Sequence, residues 1–237
     1  MGRTDVYDIT FNGVTGASKK VKLISINSVP HPESKAQALD IPGRSGYLTT
    51  TDTAYKPITI KATMRLKSDA DRAAVSAWLT GQGDLSFSKY SGVYWKATVL
   101  KGFDFVPFLP GSTGLDEFTV QFLCQPYRYH TATTITPTNG GTLTNSGTVE
   151  AEPLIVIKGS GDITLTIGTN VLEISDLDGN LTDGITIDTE ARLAYSGDTN
   201  LTPTLNGDWP IIPTGTSTIS WTGTVTSISI TPNWRDI

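Results

Sequence analysis

Apolar and polar residues alternate without a break over ITIKATMRLK at 58–67. Ile58, Ile60, Ala62, Met64 and Leu66 fall on one side, and Thr59, Lys61, Thr63, Arg65 and Lys67 on the other. That period of two predicts a β-strand in a sheet with one wet face. A similar alternation predicts a strand over residues 20–29, others at 85–87 and 93–100, and one at 118–124, where Phe118, Val120, Phe122 and Cys124 share a side. Helical spacing occurs once. Ala70, Ala74, Val75, Trp78 and Leu79 follow Ser68, an N-cap residue with Asp71 three positions on, and precede Gly81, so a helix of about three turns is expected.

The pattern changes after the Thr/Asn/Gly-rich stretch at 131–149, which reads as a linker or as an edge strand entering a second domain. Beyond it come short apolar segments separated by turn signals. Residues 154–157 end at Gly-Ser-Gly-Asp, Ile163, Leu165 and Ile167 alternate with threonines, and Ile219, Trp221, Val225, Ile228 and Ile230 close the chain. This predicts a mainly β protein of two domains, 1–135 with one α-helix and 136–237 as a β-sandwich. The segment 105–114, FVPFLPGSTG, is too rich in Pro and Gly for a strand and reads as a long loop or hairpin excursion.

Charge supports the division. Up to Pro137 there are 15 Lys and Arg against 11 Asp and Glu, a balance of +4; beyond it 3 stand against 12, a balance of −9. No clustered basic patch of the kind that binds nucleic acid is present. The first residues, MGRTDVYDITF, show no basic segment leading into an apolar one, so no signal peptide is expected. With one cysteine, no internal disulfide can form.

Candidate chemistry is sparse. His31 and His130 are far apart and read as exposed or structural. Cys124 is in phase with Phe122 and Val120 and reads as an inert core residue. The segment Asp176-Leu177-Asp178-Gly179-Asn180 begins like a calcium loop but lacks its later acidic ligands, and reads as a hairpin turn. Asp116 and Glu117 are adjacent, so in a strand they face opposite ways and cannot act as a carboxylate pair. No catalytic residue, cofactor or metal site is assigned, and the chain is not expected to be an enzyme.

The loop IPGRSGYL at 41–48 has neither the spacing of a phosphate-binding loop nor that of a nucleophile elbow. Pro42-Gly43 and Ser45-Gly46 are turn chemistry, so the loop is assigned a mechanical role.

Taken in order, this loop, Tyr55 with ITI at 58–60, the helix ending in Trp78-Leu79, LSFS at 85–88 and FTVQFLCQPYRY at 118–129 resemble the distal tail proteins of long-tailed siphophages, the siphovirus-type tail component family. NSGTVEAEPLIVIKGSGDITLTIG at 145–168, ITID at 185–188, GDWPIIPTGTSTISWTG at 207–223 and the closing SISITPNWRDI extend the resemblance over nearly the whole chain.

The resemblance implies an N-terminal β-sandwich or split-barrel domain and a C-terminal galectin-like, jelly-roll type sandwich. It implies a hexameric ring in the phage virion, at the distal end of the tail tube. The partners would be further copies of the chain, the tube protein, a tail-associated or tail-tip protein and a receptor-binding protein, with DNA passing through but not held. Six copies carry roughly −30 formal charges, which disfavours nonspecific DNA binding. Under this reading Pro42, Gly43, Arg44, Ser45, Gly46 and Tyr47 lie in an extended arm around 29–48 that packs on a neighbouring subunit, with the Arg44 guanidinium donating across the interface. The alternative is a carbohydrate-binding sandwich, for which Tyr195, Trp209 and Trp234 are the candidate sugar-contact aromatics, Trp221 being read as core.

Overall fold

The computed structural model describes residues 7–50, 54–67, 70–107, 116–131, 133–175 and 181–237. The chain is mainly β and divides into two compact units, one ending at Arg128 and including Ile237, the other Tyr129–Asp236.

The first unit contains β1 (Ile9–Phe11), β2 (Val14–Thr15), β3 (Val21–Ser28), β4 (Ala38–Asp40), β5 (Tyr47–Thr49), β6 (Ile58–Leu66), α1 (Arg72–Trp78), β7 (Gly81–Phe87), β8 (Val93–Val99), β9 (Val106–Pro107) and β10 (Asp116–Cys124). The antiparallel sheet runs β2-β1-β7-β8-β10-β6-β3. Its register places Phe122 opposite Ile60, Val120 opposite Ala62 and Phe118 opposite Met64, so the two alternating patterns bury their apolar sides together. Among the described residues, the β4–β5 ribbon forms a two-stranded sheet of its own.

The helix is shorter than its sequence predicts and begins later. Asp71, extended at φ −86° and ψ 111°, is the N-cap, and its Oδ1 accepts from the Ala73 and Ala74 amides at 2.9 and 3.2 Å. Its carboxylate satisfies two orphan donors and also meets the positive end of the helix dipole, so Asp71 is the cap and not the partner of one. Ser68 lies outside the described residues. Trp78 closes the helix against the sheet by donating its indole N–H to the Phe11 carbonyl at 3.0 Å. At the helix start, Arg72 pairs with Asp116, whose carboxylate is buried at the head of β10.

The second unit contains β11 (Arg128–His130), β12 (Gly141–Asn145), β13 (Leu154–Ile167), β14 (Asn170–Ile174), β15 (Ile185–Asp188), β16 (Leu193–Ser196), β17 (Thr199–Asn200), β18 (Leu205–Gly207), β19 (Gly215–Thr231) and β20 (Arg235–Asp236). The Thr/Asn/Gly-rich stretch supplies β12, an edge strand paired with β19.

Most of these strands are short, as expected, but two are long where the sequence suggested a division. β13 passes through Gly159-Ser160-Gly161-Asp162 without ending, and β19 is a single 17-residue strand. The two bend together. Their ladder shifts register between Lys158 and Gly159 and again between Ser160 and Thr164. On β19 the inward side moves from odd positions (Ser217, Ile219) to even ones (Ile228, Ile230), as an inserted bulge residue requires.

Glycine makes the bend possible. A Cβ on Gly159 would stand 2.2 Å from the Thr224 carbonyl oxygen, and one on Gly223 2.4 Å from that of Asp162. Before the bend β13 pairs with β15, and after it with β14. The buried residues of both halves join one core, so the two bent strands lie in both layers of a β-sandwich.

Candidate functional site

Among the described residues, His31, His130, Asp116 and Cys124 are not brought together. Exposed His31 has its Nδ1 2.9 Å from the Pro32 carbonyl. His130 lies in the other unit, its Nε2 2.9 Å from Asp236 Oδ2. Asp116 is tied to Arg72, while Glu117 pairs with Arg65 at 3.2 Å on the other side of the strand. Asp176–Asn180 lie outside the described residues. Among the described residues no group of three or more His, Cys, Asp or Glu is placed to hold a metal ion, and no helix is long and apolar enough to cross a membrane.

Cys124 is buried among the core strands, and that burial pushes its thiol up to about 12, against a lowering by a backbone hydrogen bond with Ile60. A thiol held protonated and covered reacts poorly with electrophiles. Ellman's reagent at pH 8 is expected to leave the native chain unmodified and to release one thiolate equivalent after denaturation, and prompt native reaction would contradict the core assignment.

A polar cluster joins residues that are distant in sequence. β11 pairs with β20, setting Tyr129 and His130 beside Arg235 and Asp236. Buried Arg235 donates from Nε to the Glu150 carbonyl at 2.8 Å and from its terminal nitrogen to Glu152 Oε2 at 2.7 Å. Burial raises the Tyr129 hydroxyl well above its ordinary range, nearby Glu190 adds to this, and Arg235 partly opposes it. Asp236 accepts from the Thr148 amide at 3.1 Å. Arg235 pairs with Glu152 and His130 with Asp236, so the cluster clasps β20 to the sandwich.

The aromatic candidates for sugar contact divide. Trp234 is buried and presents no face to solvent. Trp209 is partly buried, with the Arg192 guanidinium over its ring at 5.8 Å. Tyr195 lies on β16, opposite Thr186 and Asn200. Trp221 packs partly against the core, and the Asn139 side chain both donates to and accepts from its backbone.

The site that stands out is the arm containing the IPGRSGYL loop. Residues 33–50 and 54–56 pair as a ribbon. The Lys56 amide donates to the Glu33 carbonyl, Ser34 bridges Tyr55, the Lys35 amide donates to Ala54, and Ala38, Leu39 and Asp40 pair with Thr49, Leu48 and Tyr47. At the tip the Arg44 amide donates to the Ile41 carbonyl at 3.1 Å, and Gly43 and Gly46 adopt φ of +83° and +85°, which a side chain would resist. The eleven steps from Glu33 to Arg44 give a reach of up to about 36 Å.

All residues from Gln37 to Thr50 are exposed. Leu39 and Leu48 stand opposite each other on one side, with Ile41 two residues beyond Leu39, while Tyr47 is 65% exposed. The Arg44 side chain makes no hydrogen bond or ion pair among the described residues. The turn residues of the loop were legible in the sequence; the exposed leucines were not, because a two-residue period gives the same signal whether its apolar side meets the chain's own core or another surface.

No family model matches the chain, nor does any curated protein sequence. Among solved structures, the chain shares its fold with SPP1 Dit (gp 19.1), a protein described as a paradigm of the hub adsorption apparatus in phages infecting Gram-positive bacteria. The TM-score is 0.73 at 13% sequence identity, and the match covers 96% of this chain and 99% of that one.

Proposed function

We propose that this chain is a structural hub protein of a phage tail, assembling as a ring of six at the distal end of the tail tube. The ring joins the tube to the tail-tip and receptor-binding proteins and leaves a passage for DNA. The reading rests chiefly on one observation, the match in fold over both units and nearly the full length of the SPP1 hub protein. Fold alone does not fix function, because function resides in sites. The arm supplies a site of the right kind. A lone two-stranded ribbon is at best marginally stable in water, and this one holds out apolar side chains that are left about half exposed. A neighbouring subunit both covers those side chains and holds the ribbon in place.

Size-exclusion chromatography with light scattering, and imaging of any large species, tests the reading. The expected mass is six times 25.4 kDa, in ring-shaped particles, for the chain alone or mixed with the other proteins of its tail. A chain that stays monomeric in both preparations overturns it. Arg44→Ala is expected to weaken assembly by about tenfold, as loss of an interface arginine does. The thermal midpoint of the dissociated chain should not move, since the exposed Arg44 side chain makes no hydrogen bond or ion pair among the described residues. Unchanged assembly would remove Arg44 from the interface.

A further inference from the structure

We infer that Asn12 is a self-modifying site: in the folded chain it deamidates through the Gly13 amide, while the two other Asn-Gly pairs of the sequence stay intact. The inference is independent of the hub reading.

An asparagine followed by glycine is prone to spontaneous deamidation, because a glycine amide carries no side chain to obstruct its approach to the asparagine carboxamide. The sequence holds three such pairs, Asn12-Gly13, Asn139-Gly140 and Asn206-Gly207. All six residues are exposed, so exposure does not separate them. Hydrogen bonding does. The Asn139 side chain donates to the Trp221 carbonyl at 2.8 Å and accepts from the Trp221 amide at 2.9 Å. The Gly140 amide, the nucleophile of that pair, donates to the Ile219 carbonyl at 3.0 Å. Asn206 lies in β18 opposite Glu173, and its Nδ2 donates to Glu173 Oε2 at 2.9 Å. Gly207 beside it is pressed on the neighbouring backbone, where a Cβ would stand 2.4 Å from the Val171 carbonyl oxygen. At Asn12 neither reacting group is engaged. Among the described residues its carboxamide makes no hydrogen bond, and the Gly13 amide has no acceptor.

The fold explains why the pair stands there. Phe11 pairs with Val14, so Asn12 and Gly13 are the whole loop of the β1–β2 hairpin. Their φ angles are +48° and +75°, as a type I′ turn requires, and Asn-Gly is a preferred sequence for that turn. The turn and the lability therefore come from the same two residues. Attack needs the Gly13 nitrogen to swing toward the Asn12 side chain, so the turn must open first. β2 is two residues long, ends the sheet and pairs with β1 alone among the described residues, so a local opening breaks few bonds.

In the reaction the Gly13 nitrogen gives its proton to solvent and bonds to Asn12 Cγ. The side-chain nitrogen leaves as ammonia, and a succinimide ring remains. Water opens the ring at either carbonyl, which yields aspartate or isoaspartate; nothing is oxidised or reduced, and water is the only co-reactant. Isoaspartate lengthens the main chain of a two-residue turn by one atom. That breaks the Phe11–Val14 and Thr10–Thr15 register and frees β2 from the end of the sheet.

The test incubates the folded full-length chain at 37 °C, at pH 6 and at pH 8, and follows the peptide around each asparagine by mass spectrometry. The Asn12 peptide should gain one mass unit and separate into aspartate and isoaspartate forms, faster at pH 8 because the attacking nitrogen must lose its proton. It should react at least about tenfold faster than the other two, since each hydrogen bond that must break first slows attack by up to about tenfold. In denaturant the three should react at similar rates. Native reaction of Asn139 or Asn206 as fast as that of Asn12 overturns the inference, and so does an Asn12 that stays intact while the denatured chain reacts.

Asn12→Gly removes the carboxamide and keeps a residue pair that the turn accepts. Hydrogen exchange then reads the opening of β2. The Gly16 amide donates to the Ile9 carbonyl at 2.7 Å just beyond β2, and in the incubated parent it should exchange faster than before incubation. In incubated Asn12→Gly its rate should stay unchanged. Equal acceleration in both chains would detach the opening from Asn12 and overturn that part of the inference.

Discussion

Replacing residues 36–53 by Asn-Gly, so that Lys35 joins Ala54 through a two-residue turn, abolishes self-association and leaves the first unit folded. Asn-Gly suits the tight turn that such a ribbon requires. The shortened chain loses the exposed parts of Leu39, Ile41, Tyr47 and Leu48. Covering four half-exposed apolar side chains is worth about 4 kcal/mol, since full burial of each contributes roughly 1.5–3 kcal/mol. Association should weaken about a thousandfold on that basis, before the lost Arg44 contacts are counted. None of the four belongs to the core of the first unit, so its thermal midpoint should stay within about 3 °C of the parent. Light scattering reads the first quantity and calorimetry the second. Rings that persist would place the interface elsewhere, and a collapse in melting temperature would make the arm a support of its own unit.

The contrast between arm and core explains what the sequence could disclose. Alternation on β6 and β10 was readable because each strand has one wet side, and the structure pairs the two patterns residue for residue. The helix was readable in place but not in extent, because Asp71 could serve either as cap or as the reciprocal acidic residue of an earlier cap. The long strands of the sandwich were split by their glycines. Gly-Ser-Gly-Asp has the composition of a turn, yet here Gly159 and Gly223 answer to the close crossing of two backbones, a tertiary cause with no local signature. The arm was legible as turn chemistry at Pro42-Gly43 and Ser45-Gly46. Its return strand through Thr49 and its paired leucines emerged only from the register. The clasp at the chain end was hidden altogether, because His130 and Asp236 are 106 positions apart and nothing near either residue names the other.

That clasp carries the largest expected effect on stability. Arg235 is buried and donates to the Glu150 carbonyl and the Glu152 carboxylate. Arg235→Ala leaves a largely covered carboxylate without its cation, a change that costs about 3 kcal/mol at the low end for buried pairs. It also withdraws the charge that partly opposes the raised Tyr129 hydroxyl. For a unit of this size the melting transition should fall by roughly 12 °C. The diagnostic comparison is with a chain that also carries Glu152→Gln. If the cost comes from the stranded charge, the double variant should be more stable than Arg235→Ala alone, because a neutral amide is far cheaper to cover. A double variant that melts lower than the single would assign the loss to packing of the arginine stem instead. Both chains keep the arm intact, so below their transitions they should assemble as the parent does, and loss of assembly at temperatures where the sandwich is folded would give the clasp a part in the ring.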